Sequence, residues 1–315
     1  MRIYSFCQSP FEKNFLFSVF RFNFAGKEAS FRSSTAAFCV IGHPLGHSMS
    51  PFIHDRLFAL SGRAASYGAQ DIPPEALADE LPRLLEHAEG VNVTIPHKQA
   101  VIPLLDRLYG RAELYRSVNT IAVTPEGRLG YNTDADGFLH ALQGDGDPLA
   151  GRVALLGCGG VGRTFACEAA LAGCEIVNAV READLAAGEA LREYVLALKP
   201  GTSCTLTTLD RLEGPFDLLI NATPVGMYPH ADASPVAAAL LHDVKAVFDA
   251  VYNPGRTRLL AEAEKAGCRT VGGMAMLVWQ AAAAHTIWYG AQFTDADIAQ
   301  LIADADAEMR RRYGG

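Results

Sequence analysis

The chain lacks paired cysteines, long apolar runs, an excess of positive charge and internal repeats. Its seven cysteines are odd in number and none is spaced C-x-x-C, so we expect reduced thiols packed as small apolar side chains, not disulfides. No apolar stretch approaches the roughly 20 residues that a membrane-spanning helix needs. The formal net charge of −8 gives no general attraction to nucleic acid. We therefore expect a cytoplasmic protein with no membrane or nucleic-acid partner, and monomer and homodimer both remain open.

The composition is that of an ordinary globular protein, with half of its 315 residues hydrophobic and a fifth charged. This length predicts two domains of comparable size, which can form a cleft between them. Residues 1–35 are rich in phenylalanine but interrupted by charges of both signs. They fit neither a signal peptide nor a transit peptide, and we interpret them as a poorly ordered extension outside the folded domains.

Strand and helix patterns alternate from residue 36 onward. Residues 36–41 and 90–95 have the apolar character of short buried strands, and residues 51–60 show helical spacing of apolar side chains. This alternation predicts an α/β fold with a parallel sheet. A polar, glycine-containing stretch at 143–148 precedes the next strong strand, so we place a domain junction between residues 134 and 148.

A glycine-rich turn follows the strand predicted at 153–156 and precedes an amphipathic helix predicted at about 163–172. The turn reads G-C-G-G-V-G and has the G-x-G-x-x-G spacing of a dinucleotide-binding loop. Free amides at the start of such a helix receive the phosphates of the cofactor. The cofactor-binding residues predicted here are Gly157, Gly159, Gly160, Val161 and Gly162.

The cofactor type is indicated by the end of the next strand, predicted at 175–180. Arg181 stands where an acidic residue would bind the ribose diol of NAD, and a cation there suits the 2′-phosphate of NADP. Glu182 follows directly and weakens the positive field. We therefore predict NADP and leave NAD open.

Polar side chains cluster in four short segments of the first half of the chain. Ser48 and Ser50 precede a predicted helix, where hydroxyls and free amides can hold a carboxylate. Asn92 and Thr94 alternate along a strand and are expected to share one face, with Lys98 just beyond. The remaining two segments are S-V-N-T at 117–120 and Y-N-T-D at 131–134. Together they predict a polar wall that faces a small ligand.

The order of these motifs resembles that of the shikimate dehydrogenase family. The motifs are G-x-P-x-x-H-S-x-S-P at 42–51, N-V-T-x-P-x-K at 92–98, S-V-N-T at 117–120, N-T-D-x-x-G at 132–137 and G-x-G-G at 157–160. Three later segments, at 221–227, 249–254 and 273–281, also match the family pattern. The resemblance covers residues 36 to about 300.

The resemblance implies a two-domain α/β fold with a catalytic cleft between the domains. Residues 36–134 and 273–315 would form the substrate-binding domain, and residues 135–272 a Rossmann-like NADP-binding domain. The implied reaction is the reversible, NADPH-dependent reduction of 3-dehydroshikimate to shikimate, in the shikimate pathway of aromatic amino acid biosynthesis. Val180, Glu182 and Leu185 depart from the family pattern around the phosphate-binding arginine, so the preference for NADP is less firmly implied than dinucleotide binding.

Individual roles also follow from the resemblance. Lys98 and Asp134 would be the catalytic pair. Ketone reduction needs a proton and positive charge at the oxygen, which Lys98 can supply while Asp134 holds it; which of the two transfers the proton is left open. The implied substrate-binding residues are Ser48, Ser50, Asn92, Thr94, Asn119, Tyr252 and Gln280. The further cofactor-binding residues are Arg181, Asn221, Thr223 and Gly273.

Several alternatives remain. A paralogue that acts on quinate or an aminoshikimate, with NAD, would carry similar residues. A non-catalytic metabolite sensor would be expected to have lost Lys98 or Asp134, and a folate dehydrogenase would not need the paired serines. His43 and His47 are four residues apart, but Pro44 and Gly46 argue against a helix that would align them on a metal. We therefore predict no metal site.

Overall fold

The structure, a computed structural model, describes residues 36–45, 48–144 and 149–313. The predictions for residues 1–35, for His47 and for part of the junction, at 145–148, lie outside these residues. The chain from Ala36 onward forms one compact unit, which contains two six-stranded sheets. Within the described ranges, no helix combines the length and apolar character needed to cross a membrane.

The first sheet has the strand order β2-β1-β3-β5-β6-β4. Its strands are β1 (Ala36–Gly42), β2 (Ala65–Asp71), β3 (Gly90–Val93), β4 (Arg107–Leu108), β5 (Thr120–Thr124) and β6 (Gly127–Tyr131). Between them lie α1 (Ser50–Ser61), α2 (Leu77–Leu85) and α3 (Arg111–Tyr115), with 3₁₀ turns at Pro74–Ala76 and Ile102–Leu104. The strand predicted from residue 36 and the helix predicted at 51–60 are confirmed.

Two expectations for this sheet are wrong in detail. The sheet is mixed, because β5 pairs antiparallel with both β3 and β6; a short turn suffices to join antiparallel strands. Strand β3 ends at Val93, two residues earlier than predicted. The amide of His97 donates to the carbonyl of Thr94, at 2.9 Å, so the chain turns there. Thr94 and Ile95 consequently leave the strand.

The second sheet is entirely parallel, with the order β12-β11-β10-β7-β8-β9. Its strands are β7 (Arg152–Leu156), β8 (Glu175–Val180), β9 (Cys204–Thr208), β10 (Phe216–Asn221), β11 (Val244–Asp249) and β12 (Arg269–Gly272). The helices are α4 (Asp134–Gly144), which precedes it, α5 (Gly160–Ala172), α6 (Leu185–Leu198) and α7 (Arg258–Ala266), with 3₁₀ turns at Glu182–Asp184, Leu209–Arg211 and Ala238–Asp243. Chain order reverses between β7 and β10, and ligands of such sheets bind at the carboxyl ends of the strands where this happens.

The last two helices, α8 (Gly273–Tyr289) and α9 (Asp295–Tyr313), return to the first sheet. Their apolar side chains form one buried cluster with Met49, Ile53 and Leu57 of the α1 region. Trp288 donates its indole N–H to the carbonyl of Ile121 in β5, at 2.9 Å. The C-terminal end of the chain is thereby fixed against the N-terminal sheet, while the second sheet lies between them in sequence.

Candidate active site

An ion pair links Lys98, in the turn after β3, to Asp134, the first residue of α4. The ammonium Nζ of Lys98 lies 2.6 Å from Oδ2 of Asp134, and the two side chains are only 14% and 7% exposed. The side chain of Asn132 accepts the amide hydrogen of Asp134, at 3.1 Å, which fixes the start of α4. A carboxylate is also favoured there by the helix dipole. The result is a nearly buried cation held by one well-placed acid.

Asn119, which precedes β5, joins this pair to α8. Its amide nitrogen lies 2.9 Å from Oδ1 of Asp134 and 3.3 Å from the side-chain oxygen of Gln280. Its amide oxygen accepts the backbone amide of Thr133, at 2.7 Å. Four of the residues singled out from the sequence, Lys98, Asp134, Asn119 and Gln280, therefore lie in one polar network.

Asn92 on β3 extends this network toward the interior. Its side-chain oxygen accepts the hydroxyl of Tyr67, at 2.6 Å, and its amide donates to the hydroxyl of Thr120, at 3.1 Å. Burial raises the pKa of Tyr67 well above its usual value, so this phenol stays a donor. Thr94 lies beyond the strand, with its methyl group against Gly42.

Ser48 and Ser50 lie at the start of α1, and Tyr252 packs against the apolar cluster that this helix helps to form. The amide of Ser50 donates to the hydroxyl of Ser48, at 3.2 Å. Met49 between them is fully buried in the apolar cluster that α8 and α9 form with α1, and Tyr252 packs against the same cluster. Burial raises the pKa of Tyr252 to about 12. Among the described residues, none of these three hydroxyl groups bonds to Lys98 or Asp134, so they form a separate group of neutral donors.

The glycine loop has the backbone that a dinucleotide requires. Gly157 adopts φ +96°, which side chains rarely allow, and a Cβ on Gly162 would lie 3.0 Å from the carbonyl oxygen of Gly157. Helix α5 begins at Gly160 without a side-chain cap, which leaves its first amides free for an anion. Val161 lies in this first turn. These features fit the pyrophosphate of a dinucleotide.

The loop also approaches the Lys98 network from the second sheet. A Cβ on Gly160 would lie 3.8 Å from Cδ of Lys98 and 4.0 Å from the hydroxyl oxygen of Ser117. Ser117 is fully buried, and its hydroxyl has no hydrogen-bond partner among the described residues. The candidate catalytic lysine and the candidate phosphate loop are thus immediate neighbours.

Asn221 and Thr223 follow β10, beside the same loop. The side-chain oxygen of Asn221 accepts both the amide and the hydroxyl of Thr223, at 3.0 and 2.7 Å. The methyl group of Thr223 lies 2.9 Å from the place of a Cβ on Gly157. Gly273, at the start of α8, approaches the chain after β11 so closely that a Cβ would lie 2.5 Å from the carbonyl oxygen of Ala250. These residues line the crevice at the carboxyl ends of β10 and β11.

Arg181 lies at the end of β8 with its side chain 74% exposed. Its Nε donates to Oδ2 of Asp184, at 2.5 Å. The sequence predicts that Glu182 weakens the positive field here, and the structure adds a second acid, Asp184, which forms an ion pair with Arg181. A bound 2′-phosphate would compete with this carboxylate.

The sequence assigns no role to three further residues of the site, Thr133, Tyr67 and Asp249. Thr133 stands inside the N-T-D motif, and Tyr67 fixes the side chain of Asn92. Asp249 is fully buried and accepts hydrogen bonds from Asn221 and Thr257, at 2.9 and 2.6 Å. Burial raises its pKa. Only Thr133 and Asp249 lie in motifs that could have drawn attention to them; Tyr67 has no such signal.

No group of three potential metal ligands occurs in the described part of the chain. Nδ1 of His43 lies 2.6 Å from a carboxylate oxygen of Asp71, so this imidazole already has a partner. The polar network instead offers one cation, one carboxylate and several amides, which suit an oxygen-rich organic ligand.

The chain is similar to known proteins in sequence and in fold. The family model for the shikimate dehydrogenase substrate binding domain matches residues 40–121. A shikimate dehydrogenase (NADP(+)) of Methanopyrus kandleri is 43% identical over 258 residues, covering 80% of this chain and 89% of its own. A crystal structure of a shikimate dehydrogenase in complex with NADP+ is 35% identical with a TM-score of 0.79, covering 86% and 95% of the two chains.

A second solved structure contains both ligands. The shikimate 5-dehydrogenase of Thermus thermophilus, in complex with NADP(H) and shikimate, is 35% identical with a TM-score of 0.76, covering 86% of this chain and 100% of its own. Agreement of this extent reaches across both sheets. The chain belongs to the shikimate dehydrogenase family.

Proposed function

We propose that this protein catalyses the reversible reduction of 3-dehydroshikimate to shikimate with NADPH, as a step of the shikimate pathway in the cytoplasm. The observation that carries the proposal is the close approach of Lys98, which is paired with Asp134, to the glycine loop at Gly160. Ketone reduction needs an acid and a hydride donor at the same carbonyl. The named relatives, one of them bound to NADP(H) and shikimate, support the same reaction.

The cofactor would be held along the carboxyl ends of β7, β8 and β10. The uncapped amides of α5 and the close-packed glycines bind the pyrophosphate, and Val161 packs behind them. Arg181 binds the 2′-phosphate, while Asn221, Thr223 and Gly273 line the path toward the nicotinamide. NADPH supplies the hydride when it is bound. Because Gly160 lies against Lys98, the loop places the cofactor on the side of the catalytic pair.

The pair itself stabilises the charge that develops on the substrate oxygen. The ammonium of Lys98 is directed by Asp134, whose second carboxylate oxygen is held by Asn119. A preorganised cation in a nearly dry site acts more strongly than one in water. The proton reaches the substrate oxygen from this pair.

The substrate would lie between the two polar groups of the first sheet. Ser48, Ser50 and Tyr252 offer neutral hydroxyls and the N-terminus of α1 to the carboxylate, while Asn92, Thr94, Asn119 and Gln280 bind the ring hydroxyls. In this proposal residues 36–134 and 273–315 form the substrate domain and residues 135–272 the cofactor domain. The protein works as a monomer or a homodimer.

A second candidate is a quinate or aminoshikimate dehydrogenase that accepts NAD. The pairing of Arg181 with Asp184 favours it, since an acid beside the arginine weakens selection for a 2′-phosphate. A non-catalytic sensor is disfavoured because Lys98 and Asp134 are both present and paired.

The test is the absorbance of reduced nicotinamide after purified protein receives shikimate or quinate, each with NADP or NAD. We expect the fastest reduction with shikimate and NADP, and its loss by about 100-fold or more in Lys98→Ala. Lys245→Ala is the matched control, because Lys245 is 78% exposed at the opposite end of the second sheet. Faster turnover with quinate or with NAD would support the second candidate function. Ligand binding without turnover would support the sensor.

A further inference from the structure

Helix α3 belongs to the first sheet in sequence, but its side chains reach helices that pack on the second sheet. Tyr115 is fully buried in a cluster with Ala135 of α4 and Cys167 of α5. Tyr194 of α6 donates its hydroxyl to the carbonyl of Leu114. This short helix therefore contacts three helices at once.

Arg111, the first residue of α3, bridges two acids on different helices. Its Nη1 lies 2.8 Å from Oδ1 of Asp136 in α4, and its Nε lies 3.2 Å from Oε1 of Glu168 in α5. The hydroxyl of Tyr115 donates to the same oxygen of Glu168. The Glu168 side chain is only 6% exposed, so a charge there depends on these two partners.

The two bridged helices carry the two halves of the active site. Asp136 follows Asp134 by two residues in the first turn of α4. Glu168 lies two turns along α5 from Gly160, where a Cβ would lie 3.8 Å from Cδ of Lys98. A displacement of either helix would therefore change the distance between the catalytic pair and the glycine loop.

We propose that Arg111, together with Tyr115 and Glu168, is a positioning residue that sets the separation between the Lys98–Asp134 pair and the bound cofactor. This inference rests on the proposed function. The polar partners of Arg111 in the described part of the chain are Asp136 and Glu168, not the pair or the loop, so it acts through the two helices. Arginine suits this role because its planar fork can bond two carboxylates at once, whereas lysine presents a single point charge.

The expected signature is a loss of rate with little loss of binding. Hydride transfer requires near-contact geometry, and a misplacement of about 1 Å can lower a rate by about 100-fold. Asn92 and Asn119 keep their own hydrogen-bond partners when Arg111 is removed, and the first amides of α5 stay free to bind the cofactor. We therefore expect Arg111→Ala to lower kcat by about ten-fold or more, while KM for shikimate and for NADP each change by less than about three-fold.

The experiment compares Arg111→Ala, Glu168→Gln and the double variant with wild type. It measures KM and kcat, and the single-turnover rate at which 3-dehydroshikimate oxidises bound NADPH. Deuterated NADPH verifies that this rate reports hydride transfer. Arg111→Ala leaves Glu168 buried without its cation and is expected to lose stability. The double variant removes that orphaned charge, so its melting temperature should recover in part while its single-turnover rate stays low. Arg192→Ala, which breaks a pair within α6, should leave the rate unchanged.

The outcomes separate the two proposals. A single-turnover rate equal to that of wild type in the folded double variant would overturn the positioning role and leave Arg111 as a contributor to stability only. If wild type prefers another polyol acid, the proposed substrate is wrong and the same comparison with that substrate still decides the role of Arg111. If wild type transfers no hydride at all, both proposals are wrong.

Discussion

Gly160, the first residue of α5, and Lys98, in the turn after β3, face each other directly: a Cβ on Gly160 would lie 3.8 Å from Cδ of the lysine. That distance is an ordinary van der Waals contact. Gly157 differs, since a Cβ there would lie 2.9 Å from the methyl group of Thr223, on a backbone with φ +96°. The glycines of one loop are therefore under different constraints.

We expect Gly157→Ala to lower the free energy of unfolding by about 2 kcal/mol or more, because it adds backbone strain to a steric clash. Gly160→Ala is expected to change it by less than about 0.5 kcal/mol, since helix position and space both allow a methyl group. Urea unfolding of both variants measures this difference. Equal losses would mean that the loop tolerates no side chain at all and that strain at Gly157 is not the cause.

The glycine loop could be predicted because its requirements are local. Strand, turn and helix follow each other within residues 152–172, and the spacing of the glycines is set by the turn itself. Contacts such as that between Asn119 and Gln280, separated by 161 residues, have no local signature. Asn119 lies in a polar segment that the sequence marks by itself, whereas Gln280 is marked only by the family resemblance, and their mutual bond follows from the return of α8 to the first sheet.

The glycine of the N-T-D-x-x-G motif, Gly137, is required by helix packing. A Cβ there would lie 2.5 Å from the carbonyl oxygen of Met276 in α8, and backbone cannot easily move away. We expect Gly137→Ala to separate α4 from α8, to lower the free energy of unfolding by about 1–3 kcal/mol and to reduce kcat, because Asp134 and Gln280 lie on these helices.

The matched control for this prediction is Gly144→Ala at the other end of α4. In the part of the chain that the structure describes, no atom beyond its chain neighbours and its own helix backbone lies within 4 Å of its Cβ position, and alanine is the better helix former by up to about 1 kcal/mol. The control should be neutral or stabilising in thermal unfolding. A stable, fully active Gly137→Ala would show that the helices can move apart without cost, against the packing described here.

The ion pair of Arg181 with Asp184 predicts a change in cofactor preference. Exposed ion pairs are weak because solvent screens them, so releasing the arginine should strengthen binding of a 2′-phosphate only modestly. We expect Asp184→Asn to lower KM for NADP by about two- to five-fold and to leave KM for NAD unchanged. Asp210→Asn, which changes an exposed acid within the 3₁₀ turn at Leu209–Arg211, is the control. A parallel fall in both KM values would indicate an effect on general cofactor binding, not on the phosphate.

Two buried histidines predict a loss of stability in mild acid. Nδ1 of His54 lies 2.8 Å from Nε2 of His285, and both rings are fully buried. Burial, with a smaller effect of Arg63, lowers the pKa of His285 to about 3. Burial and the charge of His285 also lower the pKa of His54. In the unfolded chain both would titrate near their usual value of about 6.5.

Between about pH 6.5 and pH 3 the unfolded chain binds protons that the folded protein does not. The free energy of unfolding therefore has its full value above about pH 6.5 and falls as the pH drops toward 3. Each histidine adds up to about 1.4 kcal/mol per pH unit. We expect the slope of the unfolding free energy between pH 6.5 and 5 to fall in His285→Phe and to stay unchanged in the control His242→Gln, which alters an exposed side chain. Identical slopes in wild type and His285→Phe would contradict the account.

Arg116 adopts a left-handed backbone, with φ 51°, at the end of α3 and directly before the S-V-N-T motif. Among the described residues it is the one non-glycine residue with positive φ, and for such a residue this conformation costs about 1–2 kcal/mol. Glycine avoids that cost but loses about 0.5–1 kcal/mol more conformational entropy on folding. The first effect is larger, so we expect Arg116→Gly to raise the free energy of unfolding by about 0.5–1 kcal/mol. Glu113→Gly is the control, an exposed substitution within α3 that relieves no left-handed backbone, and it should lower the free energy of unfolding by about 1 kcal/mol. A lower free energy of unfolding in both variants would mean that the Arg116 side chain stabilises the fold by more than its backbone conformation costs.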